Sequence, residues 1–248
     1  HSSKYVSKLS PNGHQLISAK ENNAYDGVQL HRTLVMVQDD RFENPLIVDV
    51  FKVDATKGNR YDLPYHYFGQ IMSNNFFVEP LTTLTPLGEK QGYQHLWLMA
   101  QAKATSGLDH LSWFSNNTFH TLSMASKLGD TYLFAKLGAN DPEFNLRDDP
   151  AFIIRRENAA NTLFVNAIET HGSYSPVTEI AKNTRSLITG ITIEMETEAY
   201  SVISISLATG PPVKLYLANN NQNNNQSHSV NIDGVEMKWT GPYFIQTN

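Results

Sequence analysis

Short runs of alternating apolar and polar side chains recur along most of the chain. They include HRTLVMV (31–37), PLIVDVFKV (45–53), HLWLMAQA (95–102), TFHTLSMA (118–125), TYLFAKLG (131–138) and AFIIRR (151–156). Further on come TLFVNAIET (162–170), LITGITIEME (187–196), YSVISISLA (200–208), VKLYLA (213–218) and VEMKWTGPYFIQ (235–246). These runs are rich in Val, Ile, Thr, Phe and Tyr, and a period of two puts successive side chains on opposite faces of a strand. In the run from Thr162, Leu163, Val165 and Ala167 share one face while Thr162, Phe164, Asn166 and Ile168 share the other. Turn signals separate the runs: ATKGN, TPLGEKQG, ANDPEFNLRDDP and NIDGVE. No segment carries a capped helical stripe or a fixed-period repeat. The pattern predicts an all-β protein, a large antiparallel β-sandwich in a single domain over 1–248 with an irregular leading segment at 1–25. The Asn/Gln-rich stretch NNNQNNNQSHS is read as a solvated loop.

Composition narrows the function. Hydrophobic residues make up 40% and charged residues 17% of 248 positions, enough apolar material for a packed core. A formal charge of −5 argues against a nucleic-acid partner, so an acidic ligand must be met by a local basic or metal-bearing site. The lack of cysteine removes disulfides, thiolate metal sites and a cysteine nucleophile together. No apolar run reaches the roughly 18 residues of a membrane span. The chain opens HSSKYVSKLSPNG, without initiator Met, basic n-region or apolar h-region, and is read as part of a longer protein.

Two features carry candidate chemistry. Asp49 interrupts the apolar run LIVDVF, and a buried carboxylate needs a metal or another cation as partner. His31 and His95 open neighbouring runs and complete a possible ligand set, although spacings of 18 and 46 residues match no compact zinc motif. The second feature is YDLPYHYFGQ at 61–70, read as a loop, where Tyr65, His66 and Tyr67 follow one another. Phenols and an imidazole together suit proton transfer, or they simply cap a sheet. No G-x-S-x-G elbow, Gly-rich phosphate cradle or cleft-spanning carboxylate pair points elsewhere.

HRTLVMV, LIVDVFKV, YDLPYHYFGQ, GYQHLWLMA and RRENAANTLFVNAIETHGSY, in that order, resemble the C-terminal β-sandwich portion of heparinase II/III-like polysaccharide lyases. Among these the chain looks most like the oligoalginate lyases of polysaccharide lyase family 17, with the likeness covering about 30–175. The resemblance implies cleavage of a uronate polymer by β-elimination, in a bacterial periplasmic or secreted setting, with homo-oligomers left open. It implies a structural zinc on His31, Asp49 and His95, and a catalytic tyrosine in the ring-rich segment, Tyr67 ahead of Tyr65, beside His66. It also implies a partner: an N-terminal helical toroid, absent from these residues, that carries an Asn/His pair and a further Tyr. Gln29 stands where related heparinases have a histidine, so no catalytic His carries over to that strand. The chain alone is therefore expected to be catalytically incomplete. The competing readings are a non-catalytic carbohydrate-binding sandwich using Trp97, Trp113 or Trp239 as platforms, and a structural module. Arg32, Arg41, Arg155 and Arg156 either neutralise an acidic chain or serve as salt-bridge partners.

Overall fold

The structure, a computed structural model, describes residues 2–10, 13–105, 107–138 and 149–247. The turn expected from ANDPEFNLRDDP therefore lies, at 139–148, outside the described residues. Strands come in chain order as β1 (Ser3–Lys8), β2 (Gln15–Tyr25), β3 (Val28–Val37), β4 (Leu46–Ala55) and β5 (Asn59–His66). Next are β6 (Gln70–Asn74), β7 (Val78–Pro86), β8 (Leu96–Lys103), β9 (Gly107–Ser115) and β10 (Thr118–Ser126). Then come β11 (Thr131–Leu137), β12 (Pro150–Ala159), β13 (Thr162–Ser175), β14 (Ile180–Lys182) and β15 (Ile188–Glu196). The last five are β16 (Tyr200–Leu207), β17 (Val213–Ala218), β18 (Ser227–Ile232), β19 (Val235–Thr240) and β20 (Tyr243–Gln246). Among the described residues the one helical element is a 3₁₀ turn at Tyr93–His95.

All pairings are antiparallel, and the strands form stacked layers. The central sheet runs β1-β2-β3-β4-β13-β10-β9-β6, with β14 pairing on β13. A second sheet, β5-β12-β11-β8-β7, lies on one face and a third, β15-β16-β17-β20, on the other. The hairpin β18–β19 backs the third sheet through Val202, Tyr216, Val230 and Trp239. The expected sandwich is thus doubled, and its middle layer is buried on both faces.

Alternation explains how one sheet feeds two cores. On β4, Leu46, Val48 and Val50 face the third sheet, and on β13 so do Leu163, Val165 and Ala167. The intervening Phe51, Phe164 and Ile168 face the second sheet, beside Leu63, Tyr132 and Phe152. Full burial of each such side chain stabilises by about 1.5–3 kcal/mol, which holds the register of the central strands firmly.

All the alternating runs of the sequence lie on strands, and the Asn/Gln stretch is loop from 219 to 226 before β18 begins. Two expectations need correction. The leading segment is not irregular, because β1 and β2 extend the central sheet from β3. Tyr61–His66 is not a loop but most of β5, an edge strand hydrogen-bonded to β12. Pro64 disguised it, yet an edge strand tolerates a proline whose missing donor would face away from the ladder.

Candidate functional site

β5 lies at the margin of the second sheet, over β4 and β13 of the central one. Its alternation turns Tyr61, Leu63 and Tyr65 inward and leaves Pro64 and His66 exposed. Tyr65 donates its phenolic proton to Oδ2 of Asp49 at 2.7 Å and accepts from Nδ2 of Asn166 at 2.9 Å. Asp49 and Asn166 are register partners on β4 and β13, which is why one phenol reaches both. Arg32 on β3 closes the network with a two-pronged grip, Nε to Oδ1 at 2.9 Å and Nη2 to Oδ2 at 2.7 Å. The Asp49 side chain is 3% exposed and the Arg32 side chain 42%, so the guanidinium carries its charge to the mouth of the layer. Asp49 has its cation, and that cation is an arginine.

The electrostatics follow. Burial, then the Asp49 charge, pushes the Tyr65 phenol well above its ordinary range. The bond to Asp49 holds Arg32 more firmly protonated. Tyr65 is therefore a neutral, committed donor rather than a base.

Beyond His66 the chain crosses the open end between the two sheets and enters β6. Gly69 makes that crossing: its φ is 115°, and a Cβ there would lie 2.1 Å from the carbonyl oxygen of Phe114. Tyr67 turns inward against Trp113, ring centres 5.6 Å apart, and Trp113 stacks on His120 at 5.3 Å. The His120 Nδ1 lies 3.0 Å from the Thr170 hydroxyl, and burial lowers the imidazole pKa. Phe68 is 72% exposed, so His66 and Phe68 face solvent while Tyr65 and Tyr67 line the interlayer space. The sequence-adjacent trio is split across two sides of one strand.

The expected metal set does not converge. His31 shares its face of β3 with Thr33, Val35 and Val37, toward the third sheet, whereas Asp49 faces the second. There His31 Nε2 meets the Ser18 hydroxyl at 2.7 Å, and the Tyr5 ring packs edge-on at 4.8 Å. Burial, then Lys20 and Lys52, pushes its pKa down to about 3. His95 ends the 3₁₀ turn on the surface. Among the described residues no three His, Asp or Glu side chains could hold a metal ion together. The donors implied for zinc thus do not fit one ion in this arrangement.

Asn166 and His120 are the members that the sequence reading did not assign a function; Arg32 and Trp113 were considered there only as a cation for an acidic chain and as a sugar platform. Asn166 had a signal, since it interrupts an apolar run as Asp49 does. Each of the four arginines considered for an acidic chain has a carboxylate partner: Arg32 with Asp49, Arg41 with Asp39, Arg155 with Asp62 and Arg156 with Asp130. The tryptophan platforms are also spoken for, Trp97 and Trp239 being 8% and 6% exposed and Trp113 half-buried between Tyr67 and His120.

No protein-family profile matches this sequence. The chain is 35% identical over 230 residues to an alginate lyase of Stenotrophomonas maltophilia, covering 92% of this chain and 31% of that one. It is 34% identical over 245 residues to an exo-oligoalginate lyase of Saccharophagus degradans, covering 97% of this chain and 33% of the relative. The chain thus spans about a third of the length of the curated relatives it matches. Among solved structures, heparinase III superposes with a TM-score of 0.47 at 9% identity, over 97% of this chain and 27% of that one. The heparan sulfate lyase HepC of Pedobacter heparinus gives 0.40 at 7% identity, over 97% and 28%.

Proposed function

We propose that this chain is the β-sandwich part of a uronate polysaccharide lyase, acting on alginate or its oligosaccharides by β-elimination together with residues outside these 248. The likeness over more than nine-tenths of the chain to two proteins named as alginate lyases supports the substrate class. The observation that carries the reading is the chain just beyond β5, where Tyr67 lines the interlayer space against Trp113 and its neighbour His120 and directly follows the exposed His66.

The chemistry is balanced without a redox partner. A base removes the proton next to the uronate carboxylate, the C4–O bond breaks, a C4=C5 double bond forms, and an acid protonates the departing oxygen. Tyr67 or His66 handles a proton, and the cation that offsets the substrate carboxylate is assigned to the residues outside these 248, because Arg32 is paired with Asp49. Tyr65, its O–H hydrogen-bonded to Asp49, positions the strand end rather than reacting. No step is assigned to zinc, because His31, Asp49 and His95 do not meet. A periplasmic or secreted setting is part of this proposal, resting on the family resemblance alone. Burial of Trp97 and Trp239 removes two of the three tryptophan platforms of the binding-module reading.

The test is Tyr67→Phe in the longest natural form of the protein. Turnover should fall about 10²–10⁴-fold, the contribution expected of a positioned acid or base, with the melting temperature retained. Unchanged turnover would sink the assignment.

A further inference from the structure

The same β5 edge borders a second feature at its other end. A cavity of about 580 Å³ opens between β3–β4, β5 and the segment leading into the 3₁₀ turn, within the size range of ligand pockets. Rings of Tyr25, Phe51, Tyr61 and Tyr93 line it, with Arg60 and Lys90 as its cations outside a closed pair. Tyr25 is 56% exposed, so its ring is presented to solvent rather than consumed by the core.

The wall is preformed. Arg155 grips Asp62 through Nε at 2.8 Å and Nη2 at 2.7 Å, and the Tyr93 phenol donates to the same carboxylate at 2.8 Å. Burial, then that bond, pushes the Tyr93 pKa up to about 12. Gln91 and Gly92 adopt positive φ of 60° and 89°, which turns the segment back over the opening. With Asp62 neutralised by Arg155, the remaining charges at the rim are Arg60, Lys90 and the exposed Asp26. Arg60 has only a loose surface contact with Glu157 at 4.0 Å, and Lys90 has no carboxylate partner among the described residues. Among the lining side chains the cations Arg60, Lys90 and Arg155 stand against the carboxylates Asp26 and Asp62, in a chain that is negative as a whole.

The cavity wall and the Asp49–Tyr65 network are in packing contact. Phe51 lines the cavity, and Arg32, whose guanidinium lies 6.0 Å from the Phe51 ring centre, grips Asp49 under Tyr65. Along β5, Tyr61 and Tyr65 are about 13 Å apart at the usual rise per residue.

We propose that this groove is a distal binding subsite for an acidic oligosaccharide, stacking sugar faces on Tyr25 and Tyr61 and meeting carboxylates with Lys90 and Arg60. The choice of a uronate chain as ligand rests on the lyase reading above; the site itself rests on the cavity, its rings and its rim charges. Its test is calorimetric titration of this chain with oligouronates of increasing length, beside neutral gluco-oligosaccharides of equal length. The double variant Tyr25→Ala/Lys90→Ala changes only exposed side chains, so its melting temperature should match the parent. We expect oligouronate affinity to fall about tenfold in that variant, as when an aromatic anchor is truncated. Equal binding by the double variant and the parent, or no oligouronate binding by the parent in the millimolar range, would overturn the subsite. Equal binding of neutral sugars would overturn its acidic specificity. The two readings separate cleanly: turnover in Tyr67→Phe judges the lyase site, and affinity in Tyr25→Ala/Lys90→Ala judges the groove.

Discussion

The two faces of the β3–β4 strand pair carry two buried polar clusters built on opposite principles. Toward the second sheet, Asp49 sits under Arg32, Tyr65 and Asn166, and the cluster is ionic with one end open to solvent. Toward the third sheet, His31 sits with the hydroxyls of Ser18 and Thr33 in a closed cluster that holds no carboxylate and is flanked by Lys20 and Lys52. His31 and Arg32 are neighbours in sequence, yet the pleat sends them to different layers. A charged group that is gripped from the solvent side can serve a ligand, whereas a desolvated imidazole at the bottom of a core serves packing. Proximity in sequence, or even in one sheet, does not make a site; a shared face does.

The largest effect should come from breaking the ionic cluster. Arg32→Met leaves the Asp49 carboxylate buried with only neutral donors, and should cost about 3 kcal/mol in urea unfolding, the low end for a broken buried pair because Arg32 is partly exposed. A loss below about 1 kcal/mol would show that Asp49 does not depend on it.

The closed cluster should reveal itself through pH. His31 has a pKa near 3 in the folded chain against 6.5 as its ordinary value, so between those limits the unfolded chain binds the extra proton. The stability it contributes is complete above pH 6.5 and is lost as pH falls toward 3, at up to about 1.4 kcal/mol per unit. His31→Gln should flatten that acid limb in unfolding titrations. An unchanged slope would place the imidazole in water rather than in the core.

The smallest expected effect sharpens the comparison most. With His31 and Asp49 on opposite faces, His31→Ala should leave the zinc content of the purified chain unaltered by elemental analysis. One zinc per chain in the parent, lost in the variant, would mean that the two side chains meet after all.

Much of the architecture was legible in advance, and the misses have physical causes. Strands buried on one or both faces repeat every second residue, so β4, β13, β16 and β17 announced themselves. β2 ends in KENNAY, and its outer half carries little apolar material, so its strand character comes from pairing with β3 rather than from its own pattern. β5 was hidden by Pro64, which only the knowledge that this strand lies at a sheet margin makes acceptable. In the site, Tyr65 and Tyr67 were visible by type, but their different partners were not, because Asp49 and Trp113 lie on strands far apart in sequence.

By itself the sequence determined that the protein is made of half-buried and fully buried strands, that Asp49 needs a cation, and that phenols and an imidazole gather near residue 66. Alternation and the energetic cost of an unpaired buried charge are local rules, readable one strand at a time. Only the tertiary structure decided that the cation is Arg32, that His31 faces another core, and that Tyr25, Tyr61 and Tyr93 border one cavity. Those outcomes depend on which sheet covers which face. Layer order is set by the summed burial of many side chains distant in sequence, so no single motif encodes it.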